Sequence, residues 1–214
     1  MAVVRELVLV GGGGHAKACL DVIQTEGRFR VVGILDRPDF VGTNVLGIPI
    51  IGTDEDAPTL ANRGLCFLIA VGHIATPEPR IRLFKQLGEL GAELPVIISP
   101  SAHVSPHAVI GEGTIVMHMA VVGPGARIGA NCIINTRATV EHDAEVGDHC
   151  HIATGALVNG GCIVERGAFV GSGAVLRQGV QVGECAVVGM GALVRRNVAP
   201  YEVLRYCHEA EPKP

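Results

Sequence analysis

Through the second half of this 214-residue chain runs an unbroken six-residue period. Every sixth position from Val104 to Val194 holds Val, Ile or Leu, sixteen times in succession, and four residues after each stands a small or short side chain, Ala, Cys, Thr or Val. Six matches neither the 3.6-residue turn of a helix nor the alternation of a simple hairpin. It suits very short strands joined by tight turns, with one aliphatic and one small residue of each repeat pointing into a narrow prism. Glycines directly after the aliphatic position, at 111, 123, 129, 147, 171, 183 and 189, suit corners with unusual backbone angles.

Three repeats make a coil of 18 residues, so residues 18 apart are expected to stack at the strand spacing of about 4.8 Å. His142 then lies beneath Gly160, Gln178 and Arg196, and Glu141 lies beneath Asn159, Arg177 and Arg195. A third corner column runs Thr136, Thr154, Ser172, Met190. Arg195 and Arg196 would stand three coils, roughly 14 Å, above His142. That matches the reach of a pantetheine arm ending in phosphates, although solvated corner arginines account for the pattern equally well.

The first half reads differently. LVLV at 7–10 is a buried strand, AKACLDVIQTEG a helix stopped by Gly27, FRVVGILD a strand ending at Asp36, LCFLIAVGH another strand and IRLFKQLGELG another helix. This alternation predicts a small Rossmann-like parallel sheet. Gly11-x-Gly13-x-x-Ala16 follows a strand and opens a helix, with Asp36 some twenty residues on. Such glycines let backbone N–H groups approach a diphosphate, and Asp36 is suited to a ribose or base. Fewer than 100 residues precede the repeat, too few for two mononucleotide halves, so one nucleotide diphosphate fits better than NAD. The expected divisions are a nucleotide-sugar-binding domain over 1–98, a repeat domain over 99–200 and a tail over 201–214.

A net charge of -4 without a Lys/Arg run argues against nucleic acid. The apolar residues come in short pieces, none near the roughly 20 needed to span a bilayer. The N-terminus reads as a strand and not as a signal peptide, so a cytoplasmic location is expected. Seven cysteines without a CxxC pair fit reduced thiols, and Cys132, Cys150 and Cys162 fall on small interior positions.

For acyl transfer, which needs a base and an oxyanion donor, the richest segment is Thr139-Val140-Glu141-His142-Asp143. His142 occupies a corner, carboxylates flank it, and the Gly160 N–H one coil above is a candidate donor. His149 and His151 alternate on a strand and form no ready chelate, so no metal is expected.

Together, GxGGH, the Asp after the second strand, the strand ending AVGH, and SPSAHVSP leading into hexapeptides with an EHD segment resemble the sugar O- and N-acyltransferase family, over residues 7 to about 198. The resemblance implies a left-handed parallel β-helix, a homotrimer with sites between subunits, and acetyl-CoA as acyl donor. It also implies His142 as general base oriented by Asp143, His151 and Gly160 at the acetyl end of the cofactor, and Ser172 and Met190 along the CoA groove. Gly13, Gly14, His15, Asp36, Arg37 and Gly72 match sugar-nucleotide contacts, and Asn135 matches a site asparagine. The family's closing Gly-x-Pro-Ala-Lys is replaced here by Val203-Leu-Arg-Tyr-Cys-His-Glu.

The expected activity is N-acetylation of a nucleotide-linked 4-amino-deoxysugar. O-acetylation of a sialic acid-type sugar, a non-catalytic trimeric scaffold and an NAD-dependent oxidoreductase remain the alternatives, the last disfavoured by domain size.

Overall fold

The computed structural model describes residues 4–205. In the first half, β1 (Arg5–Val10), β2 (Phe29–Leu35), β3 (Asn44–Val45), β4 (Ile48–Gly52) and β5 (Cys66–Ile69) form one sheet in the order β3-β4-β2-β1-β5. All neighbours are parallel except β3 and β4. Helix α1 (Gly14–Glu26) forms because Ala16, Cys19, Leu20 and Ile23 recur on one face. It stops at Gly27, which is left-handed (φ 79°) and donates its N–H to the Ile23 carbonyl. On the other face of the sheet α2 (Ala57–Asn62) and α3 (Glu78–Glu89) cover Val8, Val10, Phe67 and Ile69.

The sequence did not disclose the β3–β4 hairpin. Its two-residue turn is Leu46-Gly47, with both residues at positive φ (50° and 82°). Turns of that kind usually carry Asn-Gly, and Leu conceals the signal.

From Ile97–Ile98 onward the chain winds as a parallel β-helix of two-residue rungs in three sides. The aliphatic second residue of each rung points inward, and the interior is a continuous column of Val, Ile, Leu, Ala and Cys. Each such burial contributes about 1.5–3 kcal/mol. Cys132, Cys150 and Cys162 lie inside it, and their Sγ atoms donate to the carbonyls of Gly147, Glu165 and Arg177. The last rung is Val203–Leu204, paired with Val187–Val188. Tyr206, Cys207, His208 and Glu209 of the divergent C-terminal segment lie outside the described residues.

The outward residues give the three sides different characters. One side, with Ile97, Ile115, Ile133, His151 and Phe169, is buried where the first domain docks. Helix α1 lies between the sheet and this side, sharing a core with Ile97, Ile115, Met117 and Ile133. At its edge the His118 imidazole bridges Asp21 (Nε2, 2.8 Å) and Ser99 (Nδ1, 2.6 Å). A second side shows an apolar column, Val121, Thr139, Leu157, Val175, Leu193. The third is mixed: Val109, Arg127, Glu145, Ile163, Gln181.

Candidate active site

At the carboxyl ends of β1, β2 and β4 opens a cleft of about 1000 Å³ lined by Gly11–Gly14, His15, Asp36, Arg37 and Gly72. Gly11 adopts φ 102° and presses so closely on Val71 that a Cβ would clash. Gly13 and Gly14, by contrast, face open space, with nothing within 4 Å of a notional Cβ. Gly13 caps α1 without a side-chain hydrogen bond, and no acidic residue occupies the first turn. This bare helix start, with Lys17 on the cleft wall, is suited to a diphosphate. Asp36 has a duty the fingerprint did not announce. Its two oxygens accept the N–H groups of Gly12 (2.9 Å) and Arg37 (2.8 Å), bracing the glycine loop against β2. Arg37 lies over the Phe40 ring at 4.9 Å. Phe40, Leu46, Glu55 and Arg82 also line the cleft, and no motif pointed to them because they come from the short turn after β2, the hairpin, the segment after β4 and α3.

Behind the cleft a seam of imidazoles joins the two halves. His73, His15 and Phe169 surround His151, with His73 and His15 ring centroids 5.6 and 6.3 Å from that of His151. Burial pushes His15 and His73 down to about 3 and His151 to about 4, so all three are neutral near pH 7. The His151 Nδ1 lies 2.8 Å from the His73 carbonyl oxygen, and its Nε2 lies 3.1 Å from Asn135 Nδ2. Below them Arg80 is wholly buried, its guanidinium donating to the carbonyls of Ile69, Val71 and Asn131 and to Asn131 Oδ1 at 2.5–2.9 Å. Burial lowers Arg80 to about 10, still charged at neutral pH. Nothing in the sequence marked Arg80, because it is a long-range partner and not part of a periodic pattern, and His73 was visible only as the end of the AVGH strand.

His142 stands apart, at the corner between the apolar and the mixed sides. Half its side chain is exposed, and its Nδ1 sits 2.9 Å from Asp143 Oδ2. Asp143 adopts φ 57°, which turns its carboxylate back onto the imidazole while its N–H is held by the Pro124 carbonyl. Glu141, the other flanking acid, has no hydrogen bond to the ring among the described contacts. Above lies Gly160, where a Cβ would come within 2.6 Å of His142 Nε2. In the same column Pro106 and Pro124 fill the slot without any N–H, so the coil ladder needs none there and the Gly160 N–H is left for another partner.

Ser172 and Met190 are exposed on a different corner column, the one that carries Thr136. Of the two adjacent arginines, Arg196 is held by Glu202 at 2.6 Å and by the Asn197 carbonyl. Its charge is already matched within the chain, so among the described residues Arg195 and Arg177 form the exposed basic pair of that edge. No group of three or more His, Cys, Asp or Glu side chains is arranged to hold a metal, and no helix is long and apolar enough to cross a membrane, among the described residues.

Residues 6–87 match the PglD N-terminal domain model and 125–160 the bacterial transferase hexapeptide model. UDP-N-acetylbacillosamine N-acetyltransferase from Bacillus subtilis is 36% identical over 116 residues, and this match spans 51% of that relative's length. A solved variant of GDP-perosamine N-acetyltransferase from Caulobacter crescentus, in complex with CoA and GDP-perosamine, is 34% identical over 92% of each chain, with a TM-score of 0.86. The chain belongs to the hexapeptide-repeat sugar O-/N-acyltransferase family. The acetyltransferase domain of PglB from Neisseria gonorrhoeae, solved with acetyl coenzyme A, is another member, 33% identical over 91% of this chain and 93% of its own, with a TM-score of 0.85. Its relatives identify the prism of this family member as a left-handed parallel β-helix.

Proposed function

We propose that the protein transfers an acetyl group from acetyl-CoA to the amino group of a nucleotide-linked 4-amino-deoxysugar, with His142 as the general base. The observation that carries this reading is the His142 corner: Asp143 holds Nδ1–H, leaving the Nε2 lone pair directed at the uncluttered backbone of Gly160. The glycine-lined cleft supplies a diphosphate site, and the relatives' complexes with CoA, acetyl-CoA and GDP-perosamine supply the two reactant classes.

In the reaction the amine nitrogen attacks the thioester carbonyl carbon while Nε2 takes the amine proton. The oxygen that gains charge is matched by the Gly160 N–H. The C–S bond then breaks, and the imidazolium returns its proton to the CoA sulfur. Asp143 keeps the imidazole in the Nδ1–H tautomer and stabilises its transient charge. Ser172 and Met190 would flank the pantetheine arm, with Arg195 near its phosphates.

The cleft opens beside the docked side, whereas His142 lies at the opposite corner of the prism, beyond the width of the apolar side. A homotrimer joined through the column Val121, Leu157, Val175, Leu193 would bring the His142 of one subunit to the cleft of another. Mixing His142→Ala chains with chains disabled at Gly14 should then restore part of the activity. With the full chain, His142→Ala should lower kcat by about 1,000-fold against a nucleotide amino sugar that wild type acetylates. An active variant overturns the assigned base. Thermal shift with UDP, GDP, dTDP and CMP sugars identifies the nucleotide, and a response to the CMP sugar alone would favour O-acetylation instead.

A further inference from the structure

One wall of the nucleotide cleft, Val71 and Gly72, continues the chain past the end of β5. The Ala70 N–H still bonds the Val10 carbonyl of β1 at 2.8 Å. Beyond it Val71, Gly72 and His73 make no backbone–backbone hydrogen bond among the described residues. Side chains hold the segment instead: Arg80 Nη1 donates to the Val71 carbonyl at 2.5 Å, and the His73 carbonyl lies 2.8 Å from His151 Nδ1. Yet this wall is placed closely. A Cβ on Gly11 would come within 2.5 Å of Val71 Cγ2, and Gly72 faces His15 across 3.8 Å.

Arg80 grips two segments at once. Its Nη1 takes the carbonyls of Ile69 and Val71, and its Nη2 takes the carbonyl and Oδ1 of Asn131. Asn131 is itself fixed within the prism, its N–H bonded to the Glu112 carbonyl at 2.7 Å, and its Nδ2 returns a bond to the Arg80 carbonyl at 3.2 Å. Packing alone does not account for an arginine here. The side chain is wholly buried, none of its four acceptors is a carboxylate, and Nε has no partner among the described residues. It also stands in the first turn of α3, at the positive end of the helix dipole. What a guanidinium offers against these costs is a rigid fork with two pairs of donors, one pair for each segment.

We propose that Arg80 is a positioning residue for nucleotide binding: it uses a coil of the prism as a fixed base to hold the Val71–Gly72 wall against the glycine loop. The proposal rests on the reading of the glycine-lined cleft as the nucleotide site, and it makes that site depend on Asn131, a prism residue that does not line it. The first domain therefore binds its ligand fully only when docked on the coils.

Two substitutions in the full chain test this without emptying the seam. Arg80→Lys keeps the charge but loses the fork. Asn131→Gly removes one acceptor, and glycine suits the left-handed backbone there (φ 53°). Losing a hydrogen bond to a charged group corresponds to about tenfold or more. By calorimetry well below Tm, Arg80→Lys should weaken binding of UDP, GDP or dTDP, whichever wild type binds most tightly, about tenfold. Asn131→Gly should weaken it about threefold, and both should leave the Kd for CoA within about twofold. Arg80→Lys with wild-type nucleotide affinity, or equal loss for nucleotide and CoA, overturns the proposal. Amide hydrogen exchange gives a reading without ligand. The Gly11 and Gly12 N–H groups, bonded to the Leu35 carbonyl and Asp36, should exchange about tenfold faster in Arg80→Lys, while those of Leu20 and Ile23 in α1 keep their rates. An unchanged glycine loop, or α1 loosened equally, refutes the clamp. Wild type that binds none of the three nucleotides would defeat the nucleotide reading alone, because the exchange rates still decide whether Arg80 holds the wall.

Discussion

His142 and His151 lie nine residues apart, the first at a corner of the prism and the second on its docked side, yet their surroundings are opposite. At His142 the imidazole is half exposed, faces a glycine and has a carboxylate on Nδ1. At His151 the ring is buried among His15, His73 and Phe169, with a carbonyl on Nδ1 and an amide on Nε2. Both are held in the same tautomer, but only the first has a nitrogen free to take a proton from a ligand. The repeat keeps its interior almost wholly apolar, with Thr114 as an internally bonded exception, so the ionisable side chains project outward, and what meets them there decides between chemistry and scaffolding.

The contrast can be attacked from each side. The largest stability effect is expected at the seam. Arg80→Ala takes the guanidinium donor away from Asn131 Oδ1 and three carbonyls in a buried space and should cost about 3–5 kcal/mol, measured by denaturant titration. A variant as stable as wild type would mean that the two halves do not depend on this joint. At the open corner Gly160→Ala drives a methyl group into the His142 ring and should lower kcat about 100-fold with little change in Tm.

Acid should separate the two regions further. His73 is neutral when folded and held down to about 3 by burial, but takes up a proton near 6.5 once unfolded. Below 6.5 the unfolded chain therefore binds more protons, so stability is full above that pH and falls as pH drops toward 3. At pH 5 His73 alone should account for about 2 kcal/mol. Neither of its ring nitrogens has a hydrogen bond, so His73→Phe should be tolerated near pH 7 and should flatten the fall in Tm between pH 7 and 5. An unchanged pH slope would show that His73 does not contribute. Smallest is Asp143→Asn, which keeps a hydrogen-bonding group beside the ring but removes its charge; kcat should fall about tenfold, with stability unaltered.

The prism was legible because each coil repeats the same physical demand, an aliphatic and a small residue facing one narrow interior. Stacking at 18 residues followed, and with it Gly160 over His142. The GGGGH loop was legible too, since its glycines serve a local need. Less was readable wherever a contact joins distant segments. Asp36 was visible as a fingerprint acid but not as the brace of Gly12, Arg196 looked available until Glu202 was seen to hold it, and Arg80 resembled any helical surface arginine. The Leu46-Gly47 hairpin stayed hidden because its turn uses an uncommon residue.

Arg80 also imposes an order of events on a chain made from its N-terminus. The helix bearing it emerges before Asn131, which lies 51 residues further along and provides two of its four acceptors. Until those coils have wound, the guanidinium cannot be enclosed without leaving part of its charge unmatched. Final closure of the first domain therefore waits for the prism, and a fragment ending near residue 98 should remain loose around α3.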